Sequence, residues 1–155
     1  IEPEYKLTPA SKMVGLDGQK MSKSYNNTIA LREDPKEVEK KIRTMPTDPA
    51  RIRRNDPGNP NNCPVWQLHQ VYSMEKTQKW AKEGCTQAGI GCVECKQPII
   101  ESVLKELKPI QERAKDYIES PDLVKSVVAE GCEKARKLAR DTMRDVREVM
   151  GIDLS

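Results

Sequence analysis

Two lysines and two serines stand within five residues, in the string Lys-Met-Ser-Lys-Ser at 20–24. Lysine ammonium groups stabilise the negative charge that develops on pyrophosphate when the α-phosphate of ATP is attacked. Serine hydroxyls add hydrogen bonds to phosphate oxygens, and Gly15 and Gly18 let the preceding backbone turn. The string predicts a loop that holds a polyphosphate, although two lysines by themselves also fit a solvated basic turn.

The longer string GLDGQKMSKSYNNTI, residues 15–29, resembles the signature loop of class I aminoacyl-tRNA synthetases in its tryptophanyl form. The resemblance implies that Lys20 and Lys23 are catalytic and stabilise the pyrophosphate leaving an ATP that is bound with Mg²⁺. It places the Met21 backbone near the adenine and assigns the nucleotide contacts of the loop to Met21, Ser22, Ser24 and Asn27. The tyrosyl branch is close but usually replaces the first Met-Ser pair, so the string favours tryptophan.

The sequence contains only part of what such an enzyme needs. Its single histidine, His69, has none of the neighbours of a His-x-Gly-His motif, and no strand–glycine-loop–helix pattern precedes residue 20. We therefore expect the chain to be the carboxy-terminal part of a larger synthetase and to form no aminoacyl-adenylate alone. Residues 1–31 are predicted to be a linker with the signature loop of the catalytic domain, and residues 32–155 a helical anticodon-binding domain with a cysteine-rich metal site.

The composition fits a helical domain with much solvated surface. Of the 155 residues, 33% are charged and 36% hydrophobic, and phenylalanine is absent. The sequence has no apolar run long enough for a membrane-spanning helix, and the expected location is cytoplasmic. The net charge of +3 permits nucleic-acid binding without arguing for it.

Helical periodicity dominates the chain and predicts an all-α fold, a small bundle of about five helices after a turn-rich linker. Turn signals set the limits of the helices, because prolines start helices or follow their ends and glycine closes them. The expected helices run from Asp34-Pro35 to Pro46, from Val65, over about 76–87, over 96–119 with a kink at Pro109, and from Ser120-Pro121 to Gly151. The proline-rich stretch 46–64 is predicted to be loop.

Four of the five cysteines have the spacing of metal ligands: Cys63, Cys85, Cys92 and Cys95. Two thiolates three residues apart can reach one metal centre, and in an intracellular chain such spacing favours metal over disulfides. Zinc, a four-iron–four-sulfur cluster and free structural cysteines all stay open. A subset of bacterial tryptophanyl-tRNA synthetases carries a 4Fe–4S cluster in this domain, and this chain resembles their pattern with a first interval one residue shorter. Cys132, in the last helix, is expected to be a small buried residue.

Four arginines of the last predicted helix recur every three or four residues: Arg136, Arg140, Arg144 and Arg147. At about 100° per residue they share one face, apart from an apolar face that can pack. Acidic residues between them make a salt-bridged surface helix one interpretation, and phosphate contact is the other. Residues 131–151 resemble the tail of bacterial tryptophanyl enzymes, which implies tRNA binding. Arg51, Arg53 and Arg54 are further tRNA candidates or belong to a solvated loop.

Two functions of different classes follow. The first is part of a tryptophan-activating synthetase whose partners are ATP, tryptophan and the anticodon region of tRNA. The resemblance implies a homodimer for the whole enzyme and allows a monomer for this piece. The second is a stand-alone metal-binding RNA adaptor that uses the cysteines and arginines. A βαβ unit with a His-x-Gly-His motif elsewhere in the protein would decide for the synthetase.

Overall fold

The computed structural model describes residues 2–7 and 11–152. Residues 1, 8–10 and 153–155 lie outside this part, so the predicted linker 1–31 and helical domain 32–155 are only partly covered. The described chain contains five α-helices: α1 (Pro35–Thr44), α2 (Pro64–Tyr72), α3 (Glu75–Thr86), α4 (Cys92–Glu119) and α5 (Pro121–Met150). Within the described residues, β-pairing is limited to one bridge between Val14 and Lys20. The predicted all-α fold is confirmed.

The chain divides into two compact units, Ile1–Gln111 and Glu112–Ser155. The first contains the signature loop, α1, α2, α3 and most of α4, and the second contains the end of α4 and α5. A functional boundary after residue 31 stays a prediction. Among the helices of the described chain, none combines the length and apolar character needed to cross a membrane.

Both ends of α1 are capped, the amino end by the residues that the sequence predicts and the carboxyl end by a lysine from α4. The Asp34 carboxylate accepts a hydrogen bond from the backbone N–H of Lys36 at 2.8 Å, and Pro35 occupies the first helical position. At the other end, Lys96 of α4 donates its ammonium to the carbonyl oxygens of Arg43 at 2.7 Å and Met45 at 2.6 Å. A cation at a helix carboxyl end satisfies orphan carbonyls and opposes the helix dipole.

One hydrophobic core joins α1, α2 and α4 to the segment that precedes the signature loop. Its buried members are Val14, Val38, Ile42, Met45, Val65, Leu68, Ile99, Ile100, Val103 and Leu107. Met13, Leu16 and Ile29 pack against it from the two sides of the loop. Each fully buried aliphatic side chain contributes about 1.5–3 kcal/mol, so the loop departs from and returns to backbone that the core holds in place.

The helix α4 begins at Cys92, earlier than the predicted start at residue 96. The Glu94 carboxylate accepts from the Gly91 backbone N–H at 3.3 Å, and the Cys95 N–H donates to the Gly91 carbonyl at 2.9 Å. This local capping extends the helix backward and places Cys92 and Cys95 one turn apart on its first turn. The helix continues through Pro98 and Pro109, and a kink at Pro109 stays a prediction.

The predicted start of α5 is confirmed, with Ser120 at the N-cap position and Pro121 as the first helical residue. The Ser120 side chain makes no capping hydrogen bond, and its backbone carbonyl accepts from the Leu123 N–H. One expectation about this helix is wrong. Cys132 is exposed rather than buried, because no described residue of α5 is buried. The predicted end is confirmed: Gly151 takes the left-handed conformation at φ +65°, which a residue without Cβ adopts readily.

Candidate nucleotide-binding loop and cysteine cluster

The two lysines of the signature loop, residues 20–24, are both exposed. Lys20 forms the bridge with Val14, and Lys23 begins a short 3₁₀ turn that Asn26 closes in the left-handed conformation. The hydroxyls of Ser22 and Ser24 lie 2.8 Å apart and hydrogen-bond to each other. Exposed ammonium groups beside hydroxyls on a turn have the chemistry needed to receive a phosphate.

Asn27 lies under this loop and is only 3% exposed. Its Nδ2 donates to Asp17 Oδ1 at 2.7 Å and to the Lys20 carbonyl at 3.1 Å, which uses both amide hydrogens. Its Oδ1 accepts from the Ser22 backbone N–H at 2.7 Å, and its backbone carbonyl accepts from Leu16 at 2.9 Å. The Asn27 side chain therefore connects the segment before the loop to the backbone on both sides of Met21.

The residues before the loop fit closely around Asn27. A Cβ added at Gly15 would overlap the Asn27 amide group, so only glycine leaves room for it. The Asp17 carboxylate accepts from the Asn27 amide and from the Gln19 backbone N–H, and these hydrogen bonds hold the pKa of Asp17 below its usual value. Asp17 is therefore a charged acceptor at neutral pH.

Gly18 anchors the turn against α2. Its φ of +84° lies in the left-handed region, and a Cβ there would stand 2.9 Å from Cγ of Pro64. Pro64 is the first residue of α2 and directly follows Cys63. The loop turn and the start of α2 are thus in direct contact.

The four cysteines with metal-ligand spacing come from three helix ends. Cys63 is the N-cap residue of α2, Cys85 lies in the last turn of α3, and Cys92 and Cys95 lie in the first turn of α4. All four are half-buried free thiols. We call these four residues the cysteine cluster.

The thiols of the cysteine cluster act on one another electrostatically. Burial, and to a smaller extent the negative charge of the other three thiolates, raises the pKa of Cys95 to about 12. Burial also raises the pKa of Cys85, again with contributions from Cys63 and Cys92, whereas the Arg51 charge lowers it. Since such repulsion falls with distance, the four thiols lie near one another, and the raised pKa values keep the Cys85 and Cys95 thiols protonated at neutral pH.

Arg51 supplies positive charge beside the cluster and is only 8% exposed. One terminal nitrogen donates to the carbonyls of Arg54 at 2.7 Å and Ile90 at 2.6 Å, and the other lies 3.9 Å from Cys85 Sγ. Its buried Nε has no hydrogen-bond partner. The arginine was expected to be a tRNA contact or part of a solvated loop; the solvated alternative is wrong for it, because its donors join the loop to the α3–α4 connection.

His69 contacts the cluster from α2 and is fully buried. Its Nε2 lies 3.0 Å from the Cys95 carbonyl and 3.3 Å from Cys95 Sγ, and its Nδ1 lies 2.8 Å from the Ser73 hydroxyl. Burial lowers the pKa of this imidazole, so it is neutral at pH 7. His69 therefore connects α2 to the first turn of α4.

Within the described residues, no group of three or more histidine, cysteine, aspartate or glutamate side chains is close enough to hold one metal ion. A Cβ at Gly58 would stand 2.6 Å from Cys85 Sγ, so the loop 46–64 reaches this thiol only because residue 58 is glycine.

An open cleft of about 690 Å³ lies next to the cluster. Arginines and an exposed isoleucine contribute to its lining: Arg43, Arg51, Ile52, Arg53 and Arg54. Cys92 and Glu94 of α4 line it as well. The cleft is positively charged, although Glu94 reduces that charge by pairing with Arg54 at 3.8 Å.

The four arginines of α5 are exposed, as predicted. Arg136 pairs with Glu133 at 2.5 Å, and Arg144 pairs with Asp141 at 3.7 Å and Asp145 at 3.1 Å. Exposed pairs of this kind contribute about 0–1 kcal/mol, so the guanidinium groups can exchange their partners for phosphate oxygens.

Sequence reasoning missed two residues that shape these sites. Lys96 and Arg51 look like ordinary surface residues, yet both are buried with their charges on backbone carbonyls. A charged residue at a core-facing position of a helix was a usable signal for Lys96, which stands three residues before Ile99. Arg51 lies in a proline-rich loop, where no periodicity exists to reveal burial.

Comparison with known proteins gives one consistent family. The family described as tRNA synthetases class I (W and Y) matches residues 1–108. A tryptophan–tRNA ligase of Ralstonia nicotianae is 60% identical over 99% of this chain and 38% of the relative. Another from Thermotoga maritima is 49% identical over 97% of this chain and 46% of the relative.

A solved structure agrees with these matches. Tryptophanyl-tRNA synthetase from Campylobacter jejuni, complexed with ADP and tryptophan, superposes with a TM-score of 0.78 and 31% identity over 96% of this chain and 46% of that one. The chain therefore spans less than half the length of these relatives.

Proposed function

Because the chain belongs to the class I tRNA synthetases of the tryptophan and tyrosine type, we propose that it is the carboxy-terminal part of a tryptophan–tRNA ligase. The whole enzyme would activate tryptophan with ATP and Mg²⁺ and transfer it to tRNA. The names of the relatives and their greater length support this proposal. The resemblance also underlies a cytoplasmic location and a homodimer for the whole enzyme.

The observation that carries the proposal is that both lysines are exposed on a loop whose backbone is held by hydrogen bonds. Lys20 and Lys23 stand on backbone that Asn27 and the core hold in place. Preorganised charges stabilise a developing anion without reorganisation at the moment of reaction. In this mechanism the two ammonium groups neutralise the departing pyrophosphate, and the hydroxyls of Ser22 and Ser24 exchange their mutual hydrogen bond for phosphate oxygens.

Tryptophan-dependent ATP–pyrophosphate exchange by the full-length enzyme tests the proposal. Lys20→Ala and Lys23→Ala should each lower kcat by about 10²–10³-fold, the usual effect of removing one stabilising group of this kind. Lys12→Ala, an exposed lysine outside the loop, is the matched control. An unchanged exchange rate after both loop substitutions would refute the role, and exchange activity of this chain alone would refute its dependence on the rest of the enzyme.

The arginines of α5 are proposed to contact the phosphates of the tRNA anticodon region. Charge reversal of Arg140 and Arg144 should weaken tRNA binding and reduce the salt slope by about 1 for each lost contact. Lys125→Glu, whose native ammonium pairs with Asp122 at 3.0 Å, is the control on the same helix. Unchanged affinity and salt slope would leave these arginines as surface residues only.

A 4Fe–4S cluster is the proposed occupant of the cysteine cluster. Two features support it: four thiols that act on one another electrostatically, and the buried Arg51 with an Nε–H that has no hydrogen-bond partner. Such a group is anionic and accepts hydrogen bonds at its sulfurs. When bound, it would replace the thiol protons and hold the ends of α2, α3 and α4 together.

Metal and acid-labile sulfide analysis of anaerobically purified protein tests the occupant. Iron and sulfide in equal amounts are expected, and Cys63→Ser and Cys92→Ser should lower both. Zinc without iron would establish the alternative occupant. A colourless protein free of both metals would establish structural cysteines.

A further inference from the structure

Asn27 is assigned to the nucleotide by family resemblance, but its hydrogen bonds point to a different role. Both hydrogens of its amide are already donated within the loop, to Asp17 and to the Lys20 carbonyl. The side chain is 3% exposed, so it offers almost no surface to a ligand. An amide whose hydrogens are already donated and whose surface is buried orients the neighbouring backbone.

We propose that Asn27 is a positioning residue that sets the directions of the two catalytic lysines by fixing the backbone on both sides of Met21. The Lys20 carbonyl is held by Asn27 Nδ2, and the Ser22 N–H, directly before Lys23, is held by Asn27 Oδ1. The proposal rests on the proposed function, because it names the residue that makes the lysine geometry reproducible.

Only an amide can make these contacts together. Aspartate at position 27 keeps the acceptor for Ser22 but loses both donors, and it places a second carboxylate against Asp17, whose charge the structure maintains. Leucine or alanine loses all three hydrogen bonds. The Asn27 amide group occupies the space next to Gly15, where any Cβ would overlap it. The backbone of the loop is therefore held by three residues of different types that fit one another: Gly15, Asp17 and Asn27.

Misplacing a catalytic group by about 1 Å can cost about 10²-fold in rate. Since the lysines act on charge that develops only in the transition state, the loss should appear in kcat rather than in KM for ATP. Asn27→Asp in the full-length enzyme should lower kcat of pyrophosphate exchange by about 10–100-fold with KM for ATP changed less than about threefold.

Three further variants sharpen the test. Asn26→Asp adds the same charge one residue away at an exposed position and should cost much less, which separates geometry from charge. Asp17→Asn combined with Asn27→Asp restores a donor facing an acceptor and should recover part of the lost kcat. Asp17→Ala removes one of the three hydrogen bonds from an exposed side chain and should give a smaller loss in the same direction, even if the variants at Asn27 fold poorly.

Amide hydrogen exchange supplies a readout that does not depend on activity. The Ser22 N–H should be protected in the wild type and exchange faster in Asn27→Ala, with the amides of α1 unchanged. Full kcat in Asn27→Asp, or equal losses in Asn27→Asp and Asn26→Asp, would overturn the positioning role. If Lys20→Ala and Lys23→Ala leave the rate intact, the proposed function fails. If they lower it while the variants at Asn27 and Asp17 do not, only the positioning role fails.

Discussion

The signature loop and the cysteine cluster are built in opposite ways. The loop is shaped by hydrogen bonds between residues at most eleven positions apart, and its reactive groups are exposed. The cluster is assembled by contacts across 26, 34 and 39 positions, from His69 to Cys95 and from Arg51 to Cys85 and Ile90. We conclude that substitutions in the loop should change rates, whereas substitutions around the cluster should change stability.

Arg51→Leu should give the largest loss of stability. It leaves the carbonyls of Arg54 and Ile90 without their donor in a buried setting, and each orphaned acceptor costs about 1–3 kcal/mol. Urea unfolding of the chain should show a decrease of about 2–4 kcal/mol. Arg53→Leu, at an exposed neighbouring position, should stay within about 0.5 kcal/mol. Equal effects of the two substitutions would break the contrast between buried and exposed arginine.

Lys96→Met should have the next largest effect, because it keeps the buried stem and removes the ammonium from the carboxyl end of α1. The loss of the cap should cost about 1–3 kcal/mol. Burial lowers the pKa of Lys96, so the two carbonyl acceptors are the groups that compensate the buried ammonium. Lys105→Met on the exposed side of α4 is the control, and a similar loss there would show that the cap is unimportant.

Gly18→Ala tests the place where the two regions meet. The positive φ and the contact with Pro64 should together cost about 1–3 kcal/mol of stability. Gly131→Ala, where nothing lies within 4 Å, should instead stabilise α5 by about 0.5–1 kcal/mol. Thermal unfolding distinguishes the two, and a stabilising Gly18→Ala would show that the turn is not held against α2.

Substitution of Glu33 should give the smallest loss of stability, and that loss should depend on pH. Burial raises its pKa, but the ion pair with Lys41 and the hydrogen bond from Ala30 outweigh burial, so the net direction is down. A lowered pKa in the folded state means that this stabilisation is complete above the unfolded pKa of about 4.3 and is lost as pH falls through the folded value. Glu33→Gln should therefore cost at most about 1 kcal/mol at pH 7 and nothing at the acid end of the titration. A cost that does not change with pH would contradict the ion pair.

The local part of this design could be predicted from sequence. The cap at Asp34, the glycine end at Gly151 and the signature loop each depend on neighbours in the chain, and these predictions agree with the described structure. The roles of the lysines and cysteines stay predictions, because no comparison tests individual residues.

The remainder depends on residues that are distant in sequence. Arg51 is buried where it donates to the distant Ile90 carbonyl. The helix α4 starts early, at Cys92, because the Glu94 carboxylate accepts a hydrogen bond from the Gly91 N–H. Cys132 was expected to be buried because cysteine usually is, but no described residue of α5 is buried. Composition and periodicity carry no information about which segments meet.

The contact between Gly18 and Pro64 limits how this protein can be recombined. Pro64 directly follows Cys63, so the turn before the lysines contacts, at Gly18, the residue next to a proposed metal ligand. In a chimera that receives the signature loop of a relative without the matching start of α2, the residues at positions 18 and 64 no longer fit each other. Exchanges of the two segments should therefore succeed together and fail separately, with non-additive losses in the single exchanges.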